Sequence, residues 1–237
     1  MATTQDNSRN FRVLNTSPIR HDGLDKVTGR AQFGADFNMP GTLYGKILRS
    51  PHAHARILSI DTSKAEALPG VKAVATASDF PVISQPLDLS EARSMPRAVA
   101  ENDLAYDKAL YRGHAIVAVA ATSAHLAEDA LDLIEVEYEV LTPVLDVQEA
   151  MKEDAPILHD SLTTMFRTGN FVRGDDTGVK GNIAGHVQAL QGDVEEGFKQ
   201  SDVIVERELT TSMVHQGYIE PFAATAFWSP DDPLTIW

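Results

Sequence analysis

From Gly41 onward the apolar and polar residues fall into short blocks with a period near two, broken by blocks with a helical period. "GTLYGKILRS", Gly41 to Ser50, reads as a strand, and "AHARILSID" as another. The second strand has Ala53, Ala55 and Ile57 on one side and His52, His54 and Arg56 on the other. "SKAEAL" follows as a short helix in which Ser63 and Glu66 fit a capping box. Pro69 and Gly70 mark a turn, and "VKAVATASDF" resumes as a strand, which makes a strand–helix–strand unit. Residues 80–105 carry three prolines and no steady period. They read as one long irregular loop, of a length that serves function or an interface.

A second unit is clearer than the first. "HAIVAVAA" is an apolar strand, and Thr122 or Ser123 caps the helix "AHLAEDALDLI". Leu126, Ala127, Ala130, Leu131 and Ile134 share one face of that helix. "EVEYEVLTPV" alternates, with Val136, Tyr138 and Val140 inward and Glu135, Glu137 and Glu139 outward. Three glutamates on one side describe the wet face of a half-buried strand rather than a calcium site.

Near residues 165–185 the chain turns rich in Gly, Asn and Asp and reads as a linker. A short helix then opens at Asp193, "VIVERELTT" alternates as a strand, and "AATAFWSPDDPLTIW" reads as a hairpin turning at "SPDD". The pattern divides the chain into a flexible arm (1–17), an α/β domain (18–160), a linker (161–185) and the start of a second domain (186–237). The last strand ends on Ile236 and Trp237, with no following segment to cover them. The second domain is therefore expected to be cut short or completed by another chain.

Composition narrows the function classes. At 237 residues the chain can hold one large or two ordinary cores. Its 43% apolar and 23% charged residues are ordinary for a globular protein. A net charge of −14, with Lys and Arg scattered singly, argues against nucleic acid as a partner. No apolar run is long enough for a membrane span, and the N-terminus lacks the apolar core of a secretory signal, so a cytoplasmic protein is expected. Cysteine is absent. Disulfides, thiolate zinc sites and cysteine-held iron–sulfur clusters are thereby excluded within these residues, and any electron carriers must sit elsewhere.

Candidate chemistry is sparse. "GxGxxG", "GxxxxGK[ST]" and "GxSxG" are all missing. His52 and His54 are spaced like two ligands on one strand face, but no third imidazole or carboxylate lies nearby in sequence, so no metal site is assigned. His114, His125 and His159 are isolated. "MVHQGYIEP" places His215, Gln216 and Glu220 among apolar neighbours after a strand; a buried polar site and a satisfied turn both fit that cluster.

Taken together, several ordered segments carry a resemblance. "DGLDKVTGRAQFGAD", "LYGKILRSPHAHARI" and "ALPGVKAVATASD" resemble the opening of the molybdopterin-binding large subunit of the xanthine dehydrogenase and aldehyde oxidase family. "YRGHAIVAVAATSAHLAEDALDLIEVEYEVLTPVLDVQEAM" is similar to the rest of that family's α/β hammerhead domain. "GDVEEGFKQSDVIVERELTTSMVHQGYIEPFAATAFW" resembles the start of its first molybdenum-cofactor-binding domain. The resemblance covers residues 18–237. It implies an α+β fold: a hammerhead domain of strand–helix–strand units, then the incomplete start of a molybdopterin-binding α+β domain. "RSPHAHARI" becomes a fold signature with no metal.

The resemblance also implies chemistry. Family members hydroxylate aldehydes, N-heterocycles or related substrates with oxygen taken from water. Their molybdenum is held by a pterin, and electrons pass through iron–sulfur clusters to FAD or another acceptor on partner subunits or domains. The family's catalytic glutamate, its glutamine in a "TQ" step and its "GGGFG" loop are not among these 237 residues, so no catalytic residue is carried over. His215, Gln216 and Glu220 stand only as residues behind the cofactor contacts. The implied partners are the remainder of the large subunit or a second large-subunit chain, an iron–sulfur subunit and a flavin subunit. Alone, the chain is expected to be inactive. The alternative is a non-catalytic assembly module, or one piece of a split large subunit.

Overall fold

The computed structural model describes residues 13–14, 16–81, 87–89, 92–94, 96–160, 162–168 and 175–237. These divide into two compact units, one of residues 41–210 and one built from residues up to 40 together with 211–237. The short helix α1 (Gly23–Val27), which buries no side chain, belongs to the second of these units.

At the centre of the larger unit are two antiparallel three-stranded sheets. Its first half contains β1 (Tyr44–Arg49), β2 (Ala55–Asp61), the single-turn helix α2 (Ser63–Glu66) and β3 (Val71–Thr76). A small hairpin of β4 (Leu87–Leu89) and β5 (Ala92–Ser94) comes next, then α3 (Pro96–Asp103) and β6 (Lys108–Ala109). The second half repeats strand, helix, strand: β7 (Ala115–Ala121), α4 (Ala124–Leu131) and β8 (Glu135–Val140). The sheet orders are β1-β7-β3 and β6-β2-β8. In each sheet the central strand therefore pairs with elements distant in sequence.

The core sits where α4 covers the first sheet. Ile116, Val117, Val119 and Ala121 of β7 share one core cluster with Ala127 and Ala130 of α4, all fully or almost fully buried. β7 is apolar on both sides because it is central and covered on both faces, which its unbroken apolar run anticipates. Alanine at 127 and 130 lets the helix lie close to the strand. The helix opens as its sequence directs, with the Ser123 hydroxyl accepting from the Leu126 amide at 3.2 Å. In β2 the register slips between Ile57 and Ser59, so Ile60 rather than Ser59 turns inward.

Beyond α5 (Val147–Ala150) the stretch expected to be a linker carries strands. β9 (Thr163–Thr168) pairs antiparallel with β10 (Asp175–Lys180) and parallel with β11 (Gly185–Gln188). Asn182, between β10 and β11, accepts from the Leu158 amide at 2.9 Å and donates to the carbonyls of Ala150 and Pro156. α6 (Val194–Gln200) opens at Asp193 as expected, its carboxylate accepting from the Glu196 amide at 2.9 Å.

In the smaller unit, β12 (Ala226–Ser229) and β13 (Asp232–Ile236) form the expected hairpin. Thr225 and Trp237 exchange backbone hydrogen bonds beside it, and Trp237 stacks on Phe37 at 4.6 Å between ring centroids.

Several expectations are corrected. The Ser63–Glu66 capping box does not form: the helix begins at Ser63 itself, whose amide is taken by Asp61, while Glu66 accepts from the Thr62 hydroxyl at 2.6 Å. Residues 80–105 hold a hairpin and α3 rather than one irregular loop; Pro96 sits at the first helical position, where its missing N–H is harmless. "VIVERELTT" forms no strand, because no other strand among the described residues pairs with it; Val203 and Leu209 stand 78% and 86% exposed. Val140 is exposed, since it pairs at the outer end of the β2–β8 ladder. The arm expected over residues 1–17 falls mostly outside the described residues.

Candidate functional site

The polar cluster of 213–221 lies on an extended stretch with no helix or strand. His215, Gln216 and Glu220 are exposed there, as are Met213, Val214, Ile219 and Phe222. Local geometry fixes only part of it. The Gly217 amide donates to His215 Nδ1 at 2.9 Å, a tight closure that Gly217 permits with φ of 69°. Tyr218 stands edge-on to Phe222 at 5.3 Å and to His215 at 6.0 Å. The structure thus places the three expected residues on one segment but does not bring them around an enclosed space. As placed, these side chains do not fit a metal or a pterin.

The histidines of the 50–54 segment do a different job. They sit in a turn before β2, not on a strand face. The Ser50 hydroxyl, almost fully buried, accepts from the His52 amide and donates to the His52 carbonyl, closing the turn. His52 stands edge-on to Tyr138 at 5.0 Å, and burial pushes the Tyr138 phenol upward. His54 Nδ1 donates to the Thr142 carbonyl at 2.7 Å, tying the turn to the exit of β8. Among the described residues no three His, Asp or Glu side chains gather as a metal needs.

The glutamates of β8 are partnered by residues of β2 and α2. Glu135 takes Lys64, Glu139 takes Arg56 at 3.0 Å, and Glu137 accepts from Ser59 at 3.4 Å. All are exposed pairs that contribute little singly and keep the strand's outer face wet.

Two polar centres went unmarked in the sequence. His114 is fully buried, its Nδ1 accepts from the Leu110 amide at 3.1 Å, and Tyr111 stacks on it at 4.5 Å. His159 lies 3.4 Å from the Glu101 carboxylate, and beside it Lys108 bonds Asp160 at 2.9 Å and the Ile157 carbonyl at 3.2 Å. The signal for His114 was its place directly before an apolar strand. The second cluster joins residues about fifty positions apart and has no local signature.

Comparison with known proteins settles the lineage. Residues 28–142 match the family described as "Aldehyde oxidase and xanthine dehydrogenase, a/b hammerhead domain", and residues 176–237 match the "Molybdopterin cofactor-binding domain". The chain belongs to the xanthine dehydrogenase and aldehyde oxidase family. Its α+β core is that family's hammerhead domain. The chain is 33% identical, over 96% of its length, to the nicotinate dehydrogenase large molybdopterin subunit of Eubacterium barkeri. It is 31% identical, over 99%, to the carbon monoxide dehydrogenase large chain of Afipia carboxidovorans. It spans 47% of the first relative and 28% of the second. Among solved structures, quinoline 2-oxidoreductase from Pseudomonas putida matches 62% of this chain and 19% of its own, at 36% identity and a TM-score of 0.52. No helix among the described residues is long and apolar enough to cross a membrane.

Proposed function

We propose that this chain works as part of the large subunit of a molybdenum hydroxylase. The observation that carries the reading is the succession of two family matches, hammerhead then molybdopterin-binding domain, along one polypeptide. In this reading residues 18–160 form the hammerhead domain, 161–185 join it to the next, and 186–237 begin the cofactor-binding domain. The complete enzyme oxidatively hydroxylates an aldehyde, N-heterocycle or related substrate in the cytoplasm, with water as oxygen source. Electrons pass to iron–sulfur clusters and FAD on partner subunits or domains. The molybdenum–pterin group supplies the oxidation when bound. Within this chain, His215, Gln216 and Glu220 stand behind residues from further polypeptide that touch it. Their exposure supports a segment that is finished only when such polypeptide packs over it.

The test is reconstitution. Co-express the chain with a polypeptide supplying the rest of a large subunit and with iron–sulfur and flavin subunits. Then offer aldehydes and N-heterocycles in ¹⁸O-labelled water. Incorporation of the label into product is expected. Product labelled from dioxygen instead, or no association between the two large-subunit pieces, contradicts the reading. A stable complex with only an iron–sulfur or flavin subunit, and no molybdenum, would favour the assembly-module alternative.

A further inference from the structure

The turn at residues 110–115 is organised around a histidine that works only without charge. His114 is fully buried. Its Nδ1 is the acceptor for the Leu110 amide, which leaves the proton of the neutral ring on Nε2. That Nε2 faces the carbonyls of Glu101 and Asn102, at the end of α3, without closing a full hydrogen bond. A second proton would have to sit on Nδ1. It would point at the Leu110 N–H, break that bond and leave a cation in the core.

The same turn holds three other parts of the unit. Ser50 donates its amide to the His114 carbonyl at 2.8 Å and accepts from the Gly113 amide at 2.9 Å. Ala105 donates to the Ala115 carbonyl at 2.9 Å, and the Tyr111 hydroxyl donates to the Asn102 carbonyl at 3.2 Å. We propose that His114 is an acid-release point of the hammerhead domain: protonating its ring frees the 110–115 turn and, with it, the end of α3 and the 50–54 turn.

The charges around the ring agree. Glu101 on α3 is engaged by His159 from the 157–160 segment, where Asp160 is bound to Lys108 of β6. Arg49 of β1 donates to the Gly113 carbonyl at 2.8 Å, and Arg112 lies on the turn itself. Burial lowers the proton affinity of His114, the nearby carbonyls of Glu101 and Asn102 raise it in part, and the charge of His159 lowers it further. The sign follows from proton counting. The unfolded or opened imidazole binds a proton near its ordinary pKa of about 6.5, and the closed one only at lower pH. Stability from neutral His114 is complete above that range and is lost as the pH falls through it.

Amide hydrogen exchange on the full chain, corrected for the intrinsic rate, tests the proposal. From about pH 7.5 to about pH 5.5, protection of amides in 101–115 is expected to fall about tenfold relative to α4. In His114→Gln, which keeps a neutral polar group at the position but has no titrating ring, that pH-dependent loss should vanish. A flat wild-type profile, or the same loss in the variant, overturns the proposal. Should the variant not fold, the wild-type imidazole decides by NMR. It should keep its neutral-form signal until these amides lose protection, and a ring that titrates freely near its ordinary pKa of about 6.5 in the folded chain overturns the proposal.

Discussion

Single residues show where sequence chemistry is decisive and where it is blind. Ser123 could be assigned as a helix cap because the partner it needs, the Leu126 amide, is three residues away. Replacing it with Ala should lower stability by about 1 kcal/mol, read as a shift of the urea midpoint at constant slope. Ser63 misled, because Asp61, just before it in the chain, competes for the same amide. Asn182 gave no signal at all, since its three partners lie 24 to 32 residues away. Asn182→Ala leaves the Leu158 amide and two carbonyls without their partner and should cost about 2 kcal/mol. A measured change under about 0.5 kcal/mol would show that water replaces the side chain without loss.

Elements were legible in proportion to how local their causes are. β7 and α4 announce themselves through an unbroken apolar run and a helical stripe. Ile116→Ala should therefore cost about 3 kcal/mol, because the fully buried side chain leaves a cavity in the core. Val140→Ala, at the exposed end of β8, should change stability by less than about 0.5 kcal/mol. α3 hid among prolines, and β9 to β11 hid in a stretch of Gly, Asn and Asp whose strands depend on long-range pairing. The opposite error befell "VIVERELTT". Alternation made it a strand on paper, but alternation cannot provide a neighbour. Trypsin should accordingly cut first at Lys199 or Arg207, with mass spectrometry finding no early cut within residues 41–81 or 108–142. Early cuts inside those stretches would contradict the fold's division of stability.

For the whole molecule, the family was readable because its motifs are contiguous, ordered stretches of sequence, several of which fall in β1, the turn before β2, β3 and β7. "RSPHAHARI" is such a motif: its histidines and serine close a turn and tie it to β8 and to the 110–115 turn. The cofactor site was not readable, because the side chains of "HQGYIEP" are exposed and enclose no space among the described residues. The account holds that this chain brings the hammerhead frame and one exposed edge of the cofactor-binding layer, and that further polypeptide must finish the site. The most direct measurement is the molybdenum and pterin content of the purified chain, alone and after co-expression with a complementary large-subunit polypeptide. The account predicts none in the chain alone and close to one molybdenum per complex. Stoichiometric molybdenum–pterin on the chain by itself would contradict it.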